Sequence, residues 1–226
     1  MNIPFHQTSL IKTRDGSNSL FSERFNTSFH SLFGAIEESK YVFIEQGLKP
    51  LLSTEQKEIS IIEIGFGTGL NTLLTIREVL QKPITINYHA VEFYPIAFEK
   101  INELNYFKDD TTLDALLKKI HLQEWNQTRA VLPHFNLTKH WQQIEKFKMP
   151  IKADVIYFDA FSPREQPELW TEDIFLNMYS MLKLPGKLVT YCAQGQMKRN
   201  LKSAGFIVKA LPGFANKREM TLGLKV

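Results

Sequence analysis

The chain has 226 residues, of which 43% are hydrophobic and 23% charged, with a formal net charge of +3. That length suits one domain with a sizeable core, and the composition is that of a soluble globular protein. No apolar run approaches the roughly 18 residues that cross a bilayer, and no repeat or low-complexity stretch interrupts the chain, so membrane partners are not expected. The N-terminus lacks the charged-then-apolar layout of a signal peptide, and the single cysteine, Cys192, has no partner for an internal disulfide; both fit a cytoplasmic protein. The mild positive charge is compatible with nucleic acid without arguing for it. The six histidines are scattered, with no His-x-His or HExxH spacing, so no metal is expected.

Residues 1–57 read as an N-terminal extension packed on a core domain of residues 58–226. The extension is polar, aromatic and irregular to about Phe29, then helical through "HSLFGAIEESKYVFIEQGL". Phe21, Phe25, Phe29 and Phe33 recur every four residues, which suits core contacts for most of them. Short apolar runs at 59–64, 86–92, 153–158 and 187–192 look buried on both faces, the mark of a parallel sheet. Between them, Leu70, Leu73, Leu74 and Leu80 share one helical stripe that Pro83 ends, and Leu113, Leu116, Leu117 and Ile120 share another that Asp110 caps. Strand alternating with helix predicts an α/β sheet. Residues 205–211 and 219–225, joined by "PGFANKR", leave no room for a crossover helix and should pair antiparallel.

The chemistry concentrates at strand ends. "EIGFGTGLN", residues 63–71, follows the first apolar run. In an open α/β sheet, ligands bind beyond the carboxyl ends of the strands, and glycines let the backbone approach them. The loop reads G-x-G-x-G, with Leu70 where a dinucleotide fingerprint has its last glycine. Glu63 puts negative charge where a pyrophosphate would sit, which favours a cationic ligand. S-adenosylmethionine has a sulfonium and an ammonium and no phosphate. Glu92, closing the second run, is placed to accept both ribose hydroxyls of an adenosine.

The run at 153–158 ends in "DAFSPREQPELW". Asp159 leaves the sheet beside the glycine loop, at the level of a transferable methyl group, and Pro163 and Pro167 stiffen the loop after it. Methyl transfer to an amine needs a neutral nitrogen, and a fixed carboxylate stabilises the positive charge that develops there. Asp159 is the candidate for that role; a structural Asp capping its turn is the other reading. Lys198 with Arg199, and Lys217 with Arg218, are either solvated surface or phosphate contacts to RNA. Trp170 and Phe214 are either core or base-stacking groups.

"EIGFGTGLN", "DAFSPREQPELW", "GFANKREM" and "FHSLFGAIEESKYVFI" together resemble the tRNA 5-methylaminomethyl-2-thiouridine methyltransferases, both stand-alone proteins and the methyltransferase half of the bifunctional MnmC enzymes. The resemblance runs from about Ser19 to near the C-terminus. It implies a class I methyltransferase fold, seven strands with an antiparallel last one, and methyl transfer from S-adenosylmethionine to the aminomethyl group of the wobble uridine in tRNA. It also implies that Glu63, Gly65, Gly67, Gly69 and Asn71 line the donor, that Glu92 holds its ribose, and that Asp159 faces the substrate amine. Where relatives have Gly-Asp after the third strand, near the adenine amine, this chain has Phe135-Asn136, so Asn136 takes that position. No second glycine fingerprint follows, so no FAD and no oxidase step are expected from these residues. Two rivals are an aminopropyltransferase, for which the loop after Asp159 offers only Glu165 and Glu168 as polyamine contacts, and a non-catalytic RNA-binding protein on the same scaffold. Intact Glu63, Glu92 and Asp159 speak against the second.

Overall fold

Secondary structure begins earlier than the sequence suggests. The computed structural model describes residues 4–13, 16, 18–30, 34–149, 151–215 and 217–226. The stretch expected to be irregular holds a small antiparallel sheet, β1 (Thr8–Lys12), β2 (Asn18–Ser22) and β3 (Thr27–Ser28). Its alternation is too polar on both faces to signal strands, since β1 is nowhere buried and β2 alone reaches the core through Leu20. Of the four recurring phenylalanines, Phe21 sits in β2, Phe25 and Phe29 pack on Phe161 with ring centroids 4.8 and 5.0 Å away, and Phe33 lies outside the described residues.

A continuous helical segment follows as expected: α1 (Ala35–Ser39), a π-helical stretch at Lys40–Leu48, and α2 (Lys49–Leu52). The π-helical stretch buries Val42, Phe43, Ile44, Gly47 and Leu48 against the sheet. Next come β4 (Glu58–Ile64), α3 (Leu70–Val79), β5 (Thr85–Glu92), α4 (Phe98–Ile101) and α5 (Thr111–Leu122). The carboxylate of Asp110 accepts the N–H groups of Thr112 and Leu113 at the start of α5, the cap that the sequence predicts. The chain continues through β6 (Thr128–Leu132), β7 (Phe135–Trp141), β8 (Ala153–Phe158), α6 (Glu172–Met181), β9 (Leu182–Thr190), α7 (Gly195–Ser203), β10 (Ile207–Pro212) and β11 (Glu219–Lys225).

The main sheet has eight strands in the order β10-β11-β9-β8-β4-β5-β7-β6. Strands β9, β8, β4, β5 and β7 run parallel, and β11 inserts antiparallel between β9 and β10, as the short connection requires. The eighth strand, β6, is an antiparallel edge that the seven-stranded expectation lacks. It escaped notice because Thr128, Arg129 and Ala130 are exposed, so it carries no apolar pattern. Alternation along β4 sends Ile59 and Ile61 to the face covered by α3, α5 and the π-helical stretch, and Ile62 and Ile64 to the face covered by α6 and α7. With both faces covered, the strands read as unbroken apolar runs. No helix among the described residues is long and apolar enough to cross a membrane.

The chain leaves β4 toward β5 on one side and reaches β8 and β9 on the other, so the switch point of the topology falls between β4 and β8. The carboxyl ends of β4, β8 and β5 open there together.

Gly47 is a close approach of the extension to the sheet. A Cβ there would stand 2.8 Å from Cε1 of Tyr157 and 3.2 Å from Val189 Cγ2. Tyr157 is fully buried and cannot step aside. We expect Gly47→Ala to cost about 1–2 kcal/mol net, overpacking exceeding the gain in helix propensity. In urea, the midpoint should fall with the slope unchanged.

Candidate active site

Three backbones part at the switch point. After Ile64 the chain turns through Gly65, Gly67 and Gly69, all at positive φ (88°, 48° and 73°). Gly65 is forced by contact as well as by angle: a Cβ would lie 2.5 Å from the carbonyl oxygen of Asp159. The N–H of Gly65 donates to Val91 and that of Asp159 to Ile64 (3.0 and 2.9 Å), tying the three strand ends together. Above them lies a cavity of about 550 Å³, lined among others by Gly65, Gly67, Asn71, Glu92, Asp159 and Tyr191.

Acids stand at two levels of this crevice. Glu92 accepts the N–H groups of Phe93 and Tyr94 at Oε1 (both 2.9 Å) and that of Gly67 at Oε2 (3.2 Å). It therefore holds the glycine loop and its own turn while keeping lone pairs toward the cavity. Burial pushes its carboxyl up, against the pull of those three N–H groups. Asp159 Oδ2 accepts the side-chain amide of Asn71 (2.8 Å). Burial raises Asp159 to about 7; Asn71 and Lys217 oppose the rise, and Glu38 adds to it.

Glu63 lies deeper than the sequence suggests. It shares the face of Ile59 and Ile61, so it points under α3 and is wholly buried, outside the lining of the cavity. Thr72 Oγ1 donates to its Oε2 at 3.0 Å. Burial and the nearby Asp159 charge push it up to about 8, against Tyr88, Asn71 and Thr72. Asn71 thus stands between two high-pKa acids, a positioning role toward Asp159 beyond the donor contact expected of it. Gly69 also lies behind the lining, where it starts α3 in the left-handed conformation.

Residues that the sequence reading missed clamp the loop. His121 Nε2 donates to the Thr68 carbonyl (2.9 Å), while His30 Nε2 and the Thr68 hydroxyl share a hydrogen bond (2.8 Å). Burial lowers His30 to about 4 and His121 to about 3, so both are neutral at pH 7. His6 joins Phe25, Phe29 and Phe161 in an aromatic wall on the same side. The N-terminal extension therefore forms part of the cavity itself. Scattered histidines signal nothing in sequence, because their meeting depends on how the extension folds back.

Asn136 is not brought to the site. It lies near the start of β7, opposite Asn87, whose side chain accepts its amide at 3.0 Å, whereas the rim is at Trp141, opposite Glu92. Its place at the amino end of a parallel strand keeps it from an adenine held at the carboxyl end. Trp170 is core, its indole N–H donating to Phe161 (2.8 Å), and Phe214 packs on Tyr41 at 6.3 Å. The two basic pairs meet on one side. Lys217 and Arg218 border a second, outer groove with Cys192, Gln194 and Glu219, and Lys198 is ion-paired with Glu219. Arg199 donates to Gln196 (2.8 Å) on the same helix. Besides bordering the outer groove expected to meet phosphate, Lys217 is ion-paired with Glu38 and also lines the inner cavity. No group of three or more His, Cys, Asp or Glu among the described residues could hold a metal.

Residues 85–226 match the family described as S-adenosyl-L-methionine-dependent methyltransferase. The chain belongs to that family. It is 28% identical over 224 residues to the tRNA 5-methylaminomethyl-2-thiouridine biosynthesis bifunctional protein MnmC of Cupriavidus metallidurans, covering 94% of this chain and 33% of that protein. The protein of that name from Nitrosospira multiformis is 30% identical over 218 residues, covering 90% and 35%. The chain spans about a third of the length of these curated relatives. Among solved structures, MnmC2 from Aquifex aeolicus has a TM-score of 0.76 at 24% identity, covering 96% of this chain and 70% of that one. Spermidine synthase in complex with the transition-state analogue AdoDATO has a TM-score of 0.58 at 16% identity, covering 97% and 68%. Both likenesses show the fold, and a class I methyltransferase fold is what the sequence predicts.

The residues present fit the methyl donor of this family. The cavity is within the roughly 300–1,000 Å³ of small-molecule sites. Gly65 and Gly67 let backbone line it, and Glu92 ends β5 beside the loop with lone pairs to spare.

A buried acid with a raised pKa makes stability fall as pH rises. The native state keeps a proton at Glu63 between its ordinary value of 4.5 and about 8, where the unfolded state has lost it. The contribution of Glu63 to the stability of the ligand-free protein should therefore fall across that range and level off above it. Glu63→Gln should remove it, so that the melting temperature of the variant relative to the parent rises by roughly several °C across the range, read by scanning calorimetry at fixed ionic strength. A slope equal to the parent's would mean that Glu63 is ionised throughout.

Proposed function

We propose that this chain transfers a methyl group from S-adenosylmethionine to the 5-aminomethyl group of the wobble (2-thio)uridine in tRNA, giving 5-methylaminomethyl-2-thiouridine. The observation that carries the reading is Asp159: a carboxyl on the cavity wall, hydrogen-bonded to Asn71 and raised to about 7. An alkylamine near pH 7 is mostly protonated and cannot attack carbon until it loses a proton. A carboxylate with an affinity for protons near neutrality can take that proton and hold the nitrogen lone pair toward the donor. The names of the curated relatives support the choice of tRNA and of an aminomethyl acceptor.

Bound in the cavity, the donor supplies a methyl group on a sulfonium; the sulfur–carbon bond breaks as the nitrogen–carbon bond forms, and S-adenosylhomocysteine leaves. Backbone at Gly65 and Gly67 and the Glu92 carboxylate hold the nucleoside and orient its methyl group. Asn71 keeps the Asp159 carboxyl in one rotamer. His6, Phe25, Phe29 and Phe161 exclude water from the chamber. Positive charge arrives at the acceptor nitrogen as it leaves the sulfur; Asp159 releases to solvent the proton it took from the amine, and its carboxylate then stabilises the methylammonium product. At the outer groove, Arg218 with Lys198 and Arg199 nearby offers positive charge to a polyanionic substrate.

Aminopropyl transfer remains as a second reading because Glu165 and Glu168 line the cavity as well as Asp159. Glu165 is partly engaged, accepting the hydroxyl of Ser162. Comparing S-adenosylmethionine with its decarboxylated form as donor separates the two.

Asp159→Asn keeps the size and the bond to Asn71 but removes the charge. Single-turnover methylation of tRNA bearing the free aminomethyl group should fall by roughly 10²–10⁴-fold near neutrality. In the parent, the rate should drop as pH falls through about 7, where Asp159 takes up a proton. The mutant should lose that limb and recover toward high pH, where the amine is neutral unaided. Parent-like rates at every pH would remove Asp159 from the chemistry. Donor affinity should change little, as read by the rise in melting temperature on adding S-adenosylmethionine.

A further inference from the structure

Between the inner chamber and the outer groove stands a thin partition. Ser162, Tyr191 and Lys217 border both spaces. The Tyr191 hydroxyl donates to the carbonyl of Ala160 (2.9 Å), so its ring is held beside the backbone that follows Asp159. The ammonium of Lys217 stands 4.7 Å from the centroid of that ring and is ion-paired with Oε1 of Glu38. Glu38 also lines the inner chamber. An aromatic face flanked by two carboxyl groups, Glu38 and Asp159, is a site for an alkylammonium. In the ligand-free protein an alkylammonium belonging to the chain occupies it.

The two partners of the ion pair differ in freedom. The Lys217 side chain is 42% exposed and sits in the loop between β10 and β11. The Glu38 side chain is 13% exposed, on a helix that runs directly into the π-helical stretch wedged on the sheet. Lys217 can swing into solvent and regain hydration. Glu38 cannot follow it, and a carboxylate left unpaired there needs another cation.

We propose that Glu38 and Asp159 together receive the positively charged amine of the substrate, and that Lys217 holds its place until it arrives. This rests on an aminomethyl group as the acceptor. Glu38 is then a specificity-determining residue: it favours an amine over an uncharged group at the same position and brings the amine to Asp159. Lys217 competes with the substrate for this site, and once displaced it is free to meet the polyanion in the outer groove.

The test compares two tRNAs that differ only at the wobble uridine, one with a 5-aminomethyl group and one unmodified. Their dissociation constants are measured with S-adenosylhomocysteine bound, so that nothing turns over. Phosphate contacts are common to both tRNAs and cancel in the ratio of the two constants. The parent should prefer the amine. Glu38→Gln should lower that preference by roughly tenfold or more, the scale of a lost charge-assisted hydrogen bond. Lys217→Met should raise the preference or leave it intact, even if both tRNAs bind more weakly. A donor-induced rise in melting temperature verifies that each variant is folded. A parent that methylates and prefers the amine-bearing tRNA, with E38Q keeping the full preference, overturns the role of Glu38. A smaller preference in K217M overturns the role of Lys217 as a competitor. A parent that neither methylates nor prefers that tRNA overturns the acceptor and this assignment together.

Discussion

The site depends on one backbone contact. Gly65 passes so close to the carbonyl of Asp159 that no side chain fits between them. Parallel pairing of β4 with β8 brings these two residues out of the sheet at the same level, and positive φ at Gly65 turns the chain before it would collide. The glycine loop and the wall that holds Asp159 are consequently one rigid unit. On the proposed function, a methyl group held by the loop has a defined position relative to the Asp159 carboxyl, and alignment of that kind supplies much of the advantage of a bound reaction over a free one.

Around that contact the protein concentrates acid in a place with little water. Burial raises the proton affinity of both Glu63 beneath the loop and Asp159 at the wall, and the nearby Asp159 charge raises Glu63 further. Ligand-free, such a pair costs stability at neutral pH. A cationic ligand reverses the sign of the effect, since it favours the charged form of every carboxyl it approaches. The fold thus holds affinity for positive charge in reserve at the switch point, which suits a sulfonium donor and an ammonium acceptor in succession.

The extension has more than a packing role in this arrangement. Its helical segment seats on the sheet through Gly47 and presents Glu38 to the cavity, while its first strands carry Phe25, Phe29 and His30 over the glycine loop. The aromatic wall and the proposed amine site each join residues of the extension, Phe25, Phe29 and Glu38, to residues of the sheet domain, Phe161 and Asp159.

By itself the sequence determined the α/β class, the buried strands, the Asp110 cap and the antiparallel C-terminal hairpin. Each of these rests on local periodicity or on a connection too short to do anything else. It also located Gly65, Glu92 and Asp159, because strand-end position follows from strand assignment. It did not reveal β1 to β3 or β6, whose exposed residues leave no apolar period. The depth of Glu63 was decided by which face of β4 meets α3, and the remoteness of Asn136 by which end of β7 meets the rim. Pairing Lys217 with Glu38 joins the two ends of the chain, and His30 and His121 meet only across Thr68. Such contacts depend on tertiary closure: charge and hydrogen bonding act over a few ångströms of space, and separation along the chain says nothing about them until the sheet has formed.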